Sequence, residues 1–135
     1  MPFWRCYYHV VWATHGRQPL MTPDVEQIIH ETIIDKSLGL ACHVIAMSGT
    51  ADHIHVAVNI PPKLAVSTWV GRVKGASARN VNERCSDQME RFRWQSSYGV
   101  LTFGQKNLPF VVAYIQAQKQ HHQQSTLVPY LERIE

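Results

Sequence analysis

His53-Ile54-His55 sets two histidines on either side of one isoleucine, in a stretch where polar and aliphatic residues alternate. On an extended strand, positions i and i+2 point to one face with their Cα atoms ~6.6 Å apart. Two imidazoles at that spacing can converge on one metal ion, while the isoleucine between them faces the other way and anchors the strand. The plain alternative is a pair of partly packed histidines without a ligand, because His-x-His also arises by chance. Asp52, just before the pair, is suggestive but weak. Farther along, Tyr114 and Gln118 stand four residues apart in a helical pattern and so share a face. His121 and His122 roughly continue that stripe. It runs beside the apolar stripe, which puts Tyr114 and Gln118 at the border of the core, aimed along the sheet or toward a partner. Read from position alone, Tyr114 is better taken as an ordinary border tyrosine.

Arg72, Lys74 and Arg79 fall on another helical stretch, with Gly71 and Gly75 among them. Small residues there let a backbone or a phosphate chain come close, so phosphate contact and a solvated basic face are the two readings. Trp94-Gln95-Ser96-Ser97-Tyr98-Gly99 is rich in aromatics and donors. Exposed rings of this kind stack on unpaired bases, although Trp94 reads better as a core residue.

The elements that must position these residues are legible from patterning. Residues 4–13 mix aromatic and β-branched types and read as a strand. Thr22-Pro23-Asp24 is a helix start, with Val25, Ile28, Ile29, Thr32 and Ile33 as its buried stripe and Gly39 at its stop. Residues 40–49 and 53–60 read as strands, the second with Ile54, Val56 and Val58 on one face and His53, His55 and Ala57 on the other. A helix follows over about 64–81, with Val66, Trp69, Val70 and Val73 inward. Residues 83–91 read as a loop, and 92–95 and 98–103 as extended segments. A third helix starts at an Asn107 cap, runs to about His121 and buries Leu108, Val111, Val112 and Ile115. A last turn or two spans Val128 to Ile134. The order β-α-β-β-α-β plus a helix predicts an α+β, ferredoxin-like split βαβ sandwich. Its sheet is antiparallel, helices cover one face, and the other face stays open for a site.

At 135 residues the chain reads as one domain, 1–135, large enough for a core without staples. No apolar run approaches the ~20 residues of a membrane span, and the N-terminus lacks a signal-peptide segment, so no membrane association and a cytoplasmic location are expected. Three cysteines, far apart and without a CxxC pair, argue against a disulfide scaffold or a structural zinc cluster. A net charge of +3 permits nucleic-acid binding without requiring it.

Taken together, these segments resemble the single-tyrosine HUH transposases of small insertion sequences, over nearly the whole chain. Tyr8-His9-Val10-Val11-Trp12-Ala13-Thr14 is similar to the family's first strand and Asp52-His53-Ile54-His55-Val56 to its metal strand. Lys74-Gly75-Ala76-Ser77 is similar to its second helix, and Phe92-Arg93-Trp94-Gln95 with Tyr98-Gly99 to the region before its catalytic helix. Tyr114-Ile115-Gln116-Ala117-Gln118, then His121-His122, is similar to that helix. His15-Gly16-Arg17 departs from a Lys-aromatic-Arg sequence common in the family, and Ala57 from a bulkier aliphatic. Related repeat-associated tyrosine transposases usually carry an Asn-Pro segment after the tyrosine, which this chain lacks.

The resemblance implies a DNA transposase that cleaves and rejoins single-stranded DNA at hairpin-bearing element ends. Tyr114 would be the nucleophile, forming a 5′-phosphotyrosine and freeing a 3′-hydroxyl. His53, His55 and Gln118 would hold a divalent Mg2+ or Mn2+, which polarises the phosphate; two imidazoles would also accept Zn or Ni. The added C-terminal helix would be the catalytic one. Arg72, Lys74 and Arg79 would contact phosphates, the working unit would be a homodimer, and no nucleotide cofactor would be needed. Two other readings stand beside it. One is a domesticated hairpin-binding or nicking protein that mobilises nothing. The other is a small metal-binding interaction module in which the histidines are incidental.

Overall fold

The structure is a computed structural model in which residues 3–85, 90–118 and 132–134 are described. Strand β1 (Tyr7–Ala13) leads into helix α1 (Pro23–Gly39), followed by strands β2 (His43–Gly49) and β3 (His53–Asn59). Helix α2 (Val66–Arg84), strand β4 (Gly99–Phe103) and helix α3 (Leu108–Gln116) complete the order. The sheet runs β2-β3-β1-β4, and every neighbouring pair is antiparallel. This is the expected α+β split βαβ arrangement: β1 and β2 flank β3, and α1 crosses over between them.

Local chemistry accounts for most boundaries. The Thr22 hydroxyl accepts from the Val25 N–H at 3.3 Å, and Pro23 occupies the first helical position. The five residues expected inward on α1 are all buried, and Ser37 joins them. The reversal after α1 is made by Ala41, at φ 59°, and not by Gly39. Helix α2 extends three residues past its expected end. Phe92–Gln95 is no strand: only Trp94 bridges to Thr14, and Asn82 exchanges two hydrogen bonds with the Phe92 backbone. Asn107 makes no side-chain cap to α3; a short 3-10 turn at Gln105–Asn107 feeds that helix instead. His121, His122 and most of the expected Val128–Ile134 turn lie outside the described residues.

One face of the sheet carries Val10, Trp12, Ile54, Val56 and Val58 against α1 and α2, which is the main core. Trp12 sits edge-on to both Trp69 and Trp94, so Trp94 is a packing residue, as expected. The second face is covered, contrary to the open face expected from the element order. Val111 and Ile115 of α3 pack there on Ala46 and Ala57. The small side chains at 46 and 57 leave room for the helix, which accounts for alanine at 57. Ile134 packs on Val11 and Ala13 of the same face. Consequently β3 is buried on both sides, and the histidines sit beneath a cover.

Candidate active site

The β3 pleat puts His53 and His55 on the second face, where α3 and residues 132–134 lie over them. His53 is 2% exposed and His55 fully buried. Tyr114 and Gln118 point inward from the C-terminal end of α3 and just beyond it, and both are buried, not placed at a border. The position of α3 on the sheet decides this, because its inward face then looks along β3. The rings of His55 and Tyr114 meet edge-to-face, 6.2 Å between centroids. Within this one chain, the four residues expected to form the site converge.

What joins them is Glu132, for which the sequence offers no local signal. One carboxylate oxygen accepts from His55 Nε2 at 3.0 Å and lies 3.5 Å from His53 Nε2. The other accepts from the Tyr114 hydroxyl and from Gln118 Nε2 at 3.3 Å. The segment bearing it is anchored by Ile134 and by the Ser97 hydroxyl, which donates to the Ile134 carbonyl. Strand β4 also needs a glycine here: a Cβ on Gly99 would stand 1.8 Å from the Arg133 carbonyl oxygen.

Each histidine is held from behind at Nδ1. His53 Nδ1 lies 2.7 Å from Asp52 Oδ1 and 2.9 Å from the Thr50 hydroxyl. His55 Nδ1 lies 2.8 Å from His9 Nε2 on β1. Asp52 is also braced by Arg17 at 3.5 Å. Asp52 and His9 are therefore part of the site. His9 was legible in principle, since β1 alternation places it on the histidine face once β1 is known to neighbour β3.

The donor set suits a cation. His53, His55 and Glu132 each present a ligand atom within 4.8 Å of the others. Gln118 Oε1 is buried without a hydrogen-bond partner among the described residues, so a carbonyl oxygen is available beside them. Two imidazole nitrogens, a carboxylate and an amide oxygen fit a divalent ion of borderline hardness.

Burial first, and the charge of His55 next, push the His9 pKa down to about 3, with Glu132 opposing. For Glu132, burial alone would raise the value. Hydrogen bonds from His53 and His55, the His55 charge and the Tyr114 hydroxyl outweigh it and hold the carboxyl well below the usual range. Both shifts act with one sign. Between pH ~6.5 and about 3 the unfolded chain takes up a proton at His9 that the folded chain refuses, so stability falls as pH drops through that window. Glu132 contributes stability above its unfolded value near ~4.3 and loses it as pH falls further. The metal-free protein is expected to lose about 2–3 kcal/mol, or roughly 10 °C in Tm, between pH 6.5 and 4. Calorimetry across that range checks it; a flat or rising Tm on acidification would contradict a neutral buried His9.

The basic residues of α2 lie elsewhere. Lys74 and Arg79 line a groove of about 940 Å3 with Gly71, Gly75, Arg91 and Arg93, and Arg72 is exposed outside that lining. Lys74 is half-buried and donates to the carbonyls of Gln95 at 2.6 Å and Ser97 at 3.2 Å, tying that loop to α2. A Cβ on Gly71 or Gly75 would meet nothing, so the groove floor is open there. A second cleft of about 530 Å3 is lined by Arg17, Glu132 and Arg133. Gln95 lines both.

Comparison with known proteins follows the same lines. A family model described as "Transposase IS200 like" matches residues 2–118. The transposase for insertion sequence element IS200 of Salmonella typhimurium is 29% identical over 119 residues, covering 85% of this chain and 78% of that protein. The ISDra2 transposase TnpA of Deinococcus radiodurans is 26% identical over 115 residues, covering 82% of each. In fold, the chain is similar to a crystal structure of a transposase from Deinococcus radiodurans R1, with TM-score 0.71 and 23% identity. That match covers 87% of this chain and 93% of the other. It is also similar to a REP-associated tyrosine transposase bound to a REP hairpin, with TM-score 0.65 and 18% identity, covering 87% and 68%. Among the described residues, no helix is long and apolar enough to cross a membrane.

Proposed function

This chain belongs to the IS200-like transposase family, and from that premise we propose that it cuts and rejoins single-stranded DNA at hairpin-bearing ends, with Tyr114 as the nucleophile. The observation that carries the reading is the convergence of Tyr114, His53, His55 and Gln118 on the single carboxylate of Glu132. A hydroxyl nucleophile beside a cation-binding donor set suits phosphoryl transfer to a protein side chain. In cleavage the Tyr114 oxygen gives up its proton and bonds to phosphorus as the P–O3′ bond breaks; the departing 3′-oxygen takes up a proton to become a hydroxyl, and the 5′-phosphate stays on the protein. The reverse step exchanges the same bonds, so rejoining needs no nucleotide cofactor.

A free phenol, with a pKa of ~10, is a poor nucleophile at neutral pH, and at Tyr114 the geometry compensates by orientation. Its hydroxyl is aimed by Glu132 and its ring is held against His55. His53 and His55, with Gln118 Oε1, would hold the divalent ion, Mg2+ or Mn2+. Such an ion would supply Lewis acidity, polarising a phosphate oxygen and lowering the cost of the charge that develops there. Arg17 and Arg133 flank the cleft at Glu132 and favour an incoming phosphate. Because Gln95 lines both openings, a strand leaving that cleft reaches the α2 groove. There Arg79, and Lys74 with its remaining N–H, contact phosphates, with Arg72 beside them. Likeness to a hairpin-bound transposase supports a DNA hairpin as the ligand. The working unit is a homodimer: β4 is a sheet edge with Val100 and Leu101 exposed, a surface that a second copy would cover.

Covalent capture tests this reading. The protein is incubated with Mn2+ and single-stranded hairpin oligonucleotides taken from its own genomic flanks, then run on a denaturing gel and mapped by mass spectrometry. The expected product is a DNA adduct on Tyr114 that chelator abolishes. Tight hairpin binding without an adduct would replace the nuclease with a domesticated binder. Neither binding nor adduct would leave the site without this chemistry.

A further inference from the structure

We propose that His9 is a positioning residue that sets which nitrogen of His55 is available to a divalent ion, an inference that rests on the metal reading above. In the antiparallel pairing of β1 with β3, Val11 lies opposite His55 and His9 opposite Ala57. His9 and His55 are thus diagonal neighbours on one face. Their rings lie edge to edge and nearly in one plane, 5.0 Å between centroids and 16° between planes, with His9 Nε2 2.8 Å from His55 Nδ1. One proton lies between those two nitrogens, and its owner follows from the other side of His55.

When His55 Nε2 donates to Glu132, His55 Nδ1 accepts from His9 Nε2–H. When His55 Nε2 gives its lone pair to a cation, the neutral ring carries its proton on Nδ1, and His9 Nε2 accepts it. A partner for His55 must therefore donate in one state and accept in the other. Imidazole does both, by moving its own proton to the opposite nitrogen. His9 has that nitrogen in reserve: Nδ1 is buried and makes no hydrogen bond among the described residues. His53 is served differently, since Asp52 at 2.7 Å only accepts and keeps its proton on Nδ1 in both states. The two ligands differ accordingly: His53 is held permanently ready, and His55 is switched by loading.

Partners behind metal ligands typically change affinity by about ten- to a hundredfold when removed. The test is Mn2+ titration calorimetry on the full chain as wild type, His9→Phe and His9→Gln. It is paired with nitrogen-15 imidazole spectra of the wild type, metal-free and with Zn2+ as a diamagnetic probe. His9→Phe keeps an aromatic ring without nitrogens and is expected to weaken Mn2+ binding by about ten- to a hundredfold. His9→Gln keeps a group that can donate or accept, and most of the affinity should return. The wild-type spectra should show His55 moving from the Nε2–H to the Nδ1–H form on Zn2+ binding, with His9 moving in step. A folded His9→Phe protein that binds Mn2+ like wild type would overturn the proposal. So would His9 resonances that ignore Zn2+, a result that stands even if His9→Phe fails to fold. A wild type that binds neither ion removes the metal reading itself, and this role with it.

Discussion

Tyr114→Phe protein is expected to fold, to bind hairpin DNA as the wild type does, and to form no covalent adduct. Strand cleavage should fall by at least about a thousandfold, within the loss of up to about a millionfold seen when an enzyme's nucleophile is deleted. The substitution removes one oxygen and little else. The ring keeps its edge-to-face contact with His55 and its buried place on the inward face of α3. Glu132 loses one donor but keeps His55 and Gln118, which limits the stability cost to about 1–2 kcal/mol. A change at the hydroxyl that spares the fold and ends the chemistry separates a nucleophile from a packing tyrosine. Cleavage by Tyr114→Phe at the wild-type rate would assign the nucleophile elsewhere.

The second large effect is expected at the histidines, and it should be unequal between them. His53→Ala and His55→Ala should each weaken Mn2+ binding by about a hundredfold or more, because each removes a donor that no neighbour replaces. Their stabilities should part company. His53 leaves behind Asp52, which is partly exposed and keeps Arg17. His55→Ala takes the 3.0 Å partner from the Glu132 carboxylate and the 2.8 Å partner from buried His9 at once. Glu132 keeps Tyr114 and Gln118 but has one donor fewer, and His9 is left buried without its partner, a loss of about 1–3 kcal/mol. The metal-free His55→Ala protein should therefore melt well below His53→Ala. Titration calorimetry and thermal melts read the two effects separately. Equal melting of the two variants would mean that Glu132 and His9 do not lean on His55, and unaltered Mn2+ affinity in either would remove that residue from the ligand set.

Much of this protein could be read from residue order because the features involved are local. Strand alternation at 53–58 determined that both histidines share a face opposite Ile54 and Val56, a consequence of the two-residue period of extended backbone. The Thr22-Pro23 start and the inward stripe of α1 follow from capping and the helical period in the same way. Four-residue spacing put Tyr114 and Gln118 on one side of a helix. Even the split βαβ order followed from element sequence, since few topologies accommodate it.

The tertiary structure alone decided what those faces meet. No period indicates that α3 folds onto the second sheet face, so spacing puts Tyr114 and Gln118 at a border while the fold buries both. Ala46 and Ala57 make that docking possible, but two alanines on strands carry no signal until the helix is seen above them. Glu132 is the clearest case. It stands 77 positions from His55 in sequence, and the anchoring of Ile134 on Val11 and Ala13 and by the Ser97 hydroxyl, beside a side-chain-free Gly99, brings its carboxylate into the site. His9 joins for a similar reason, since strand pairing brings residues 46 apart to hydrogen-bonding distance. Spacing determines which side chains share a face, because backbone geometry is short-ranged. Which faces meet depends on packing across the whole chain, and there the histidines acquire a carboxylate, a tyrosine and a second imidazole.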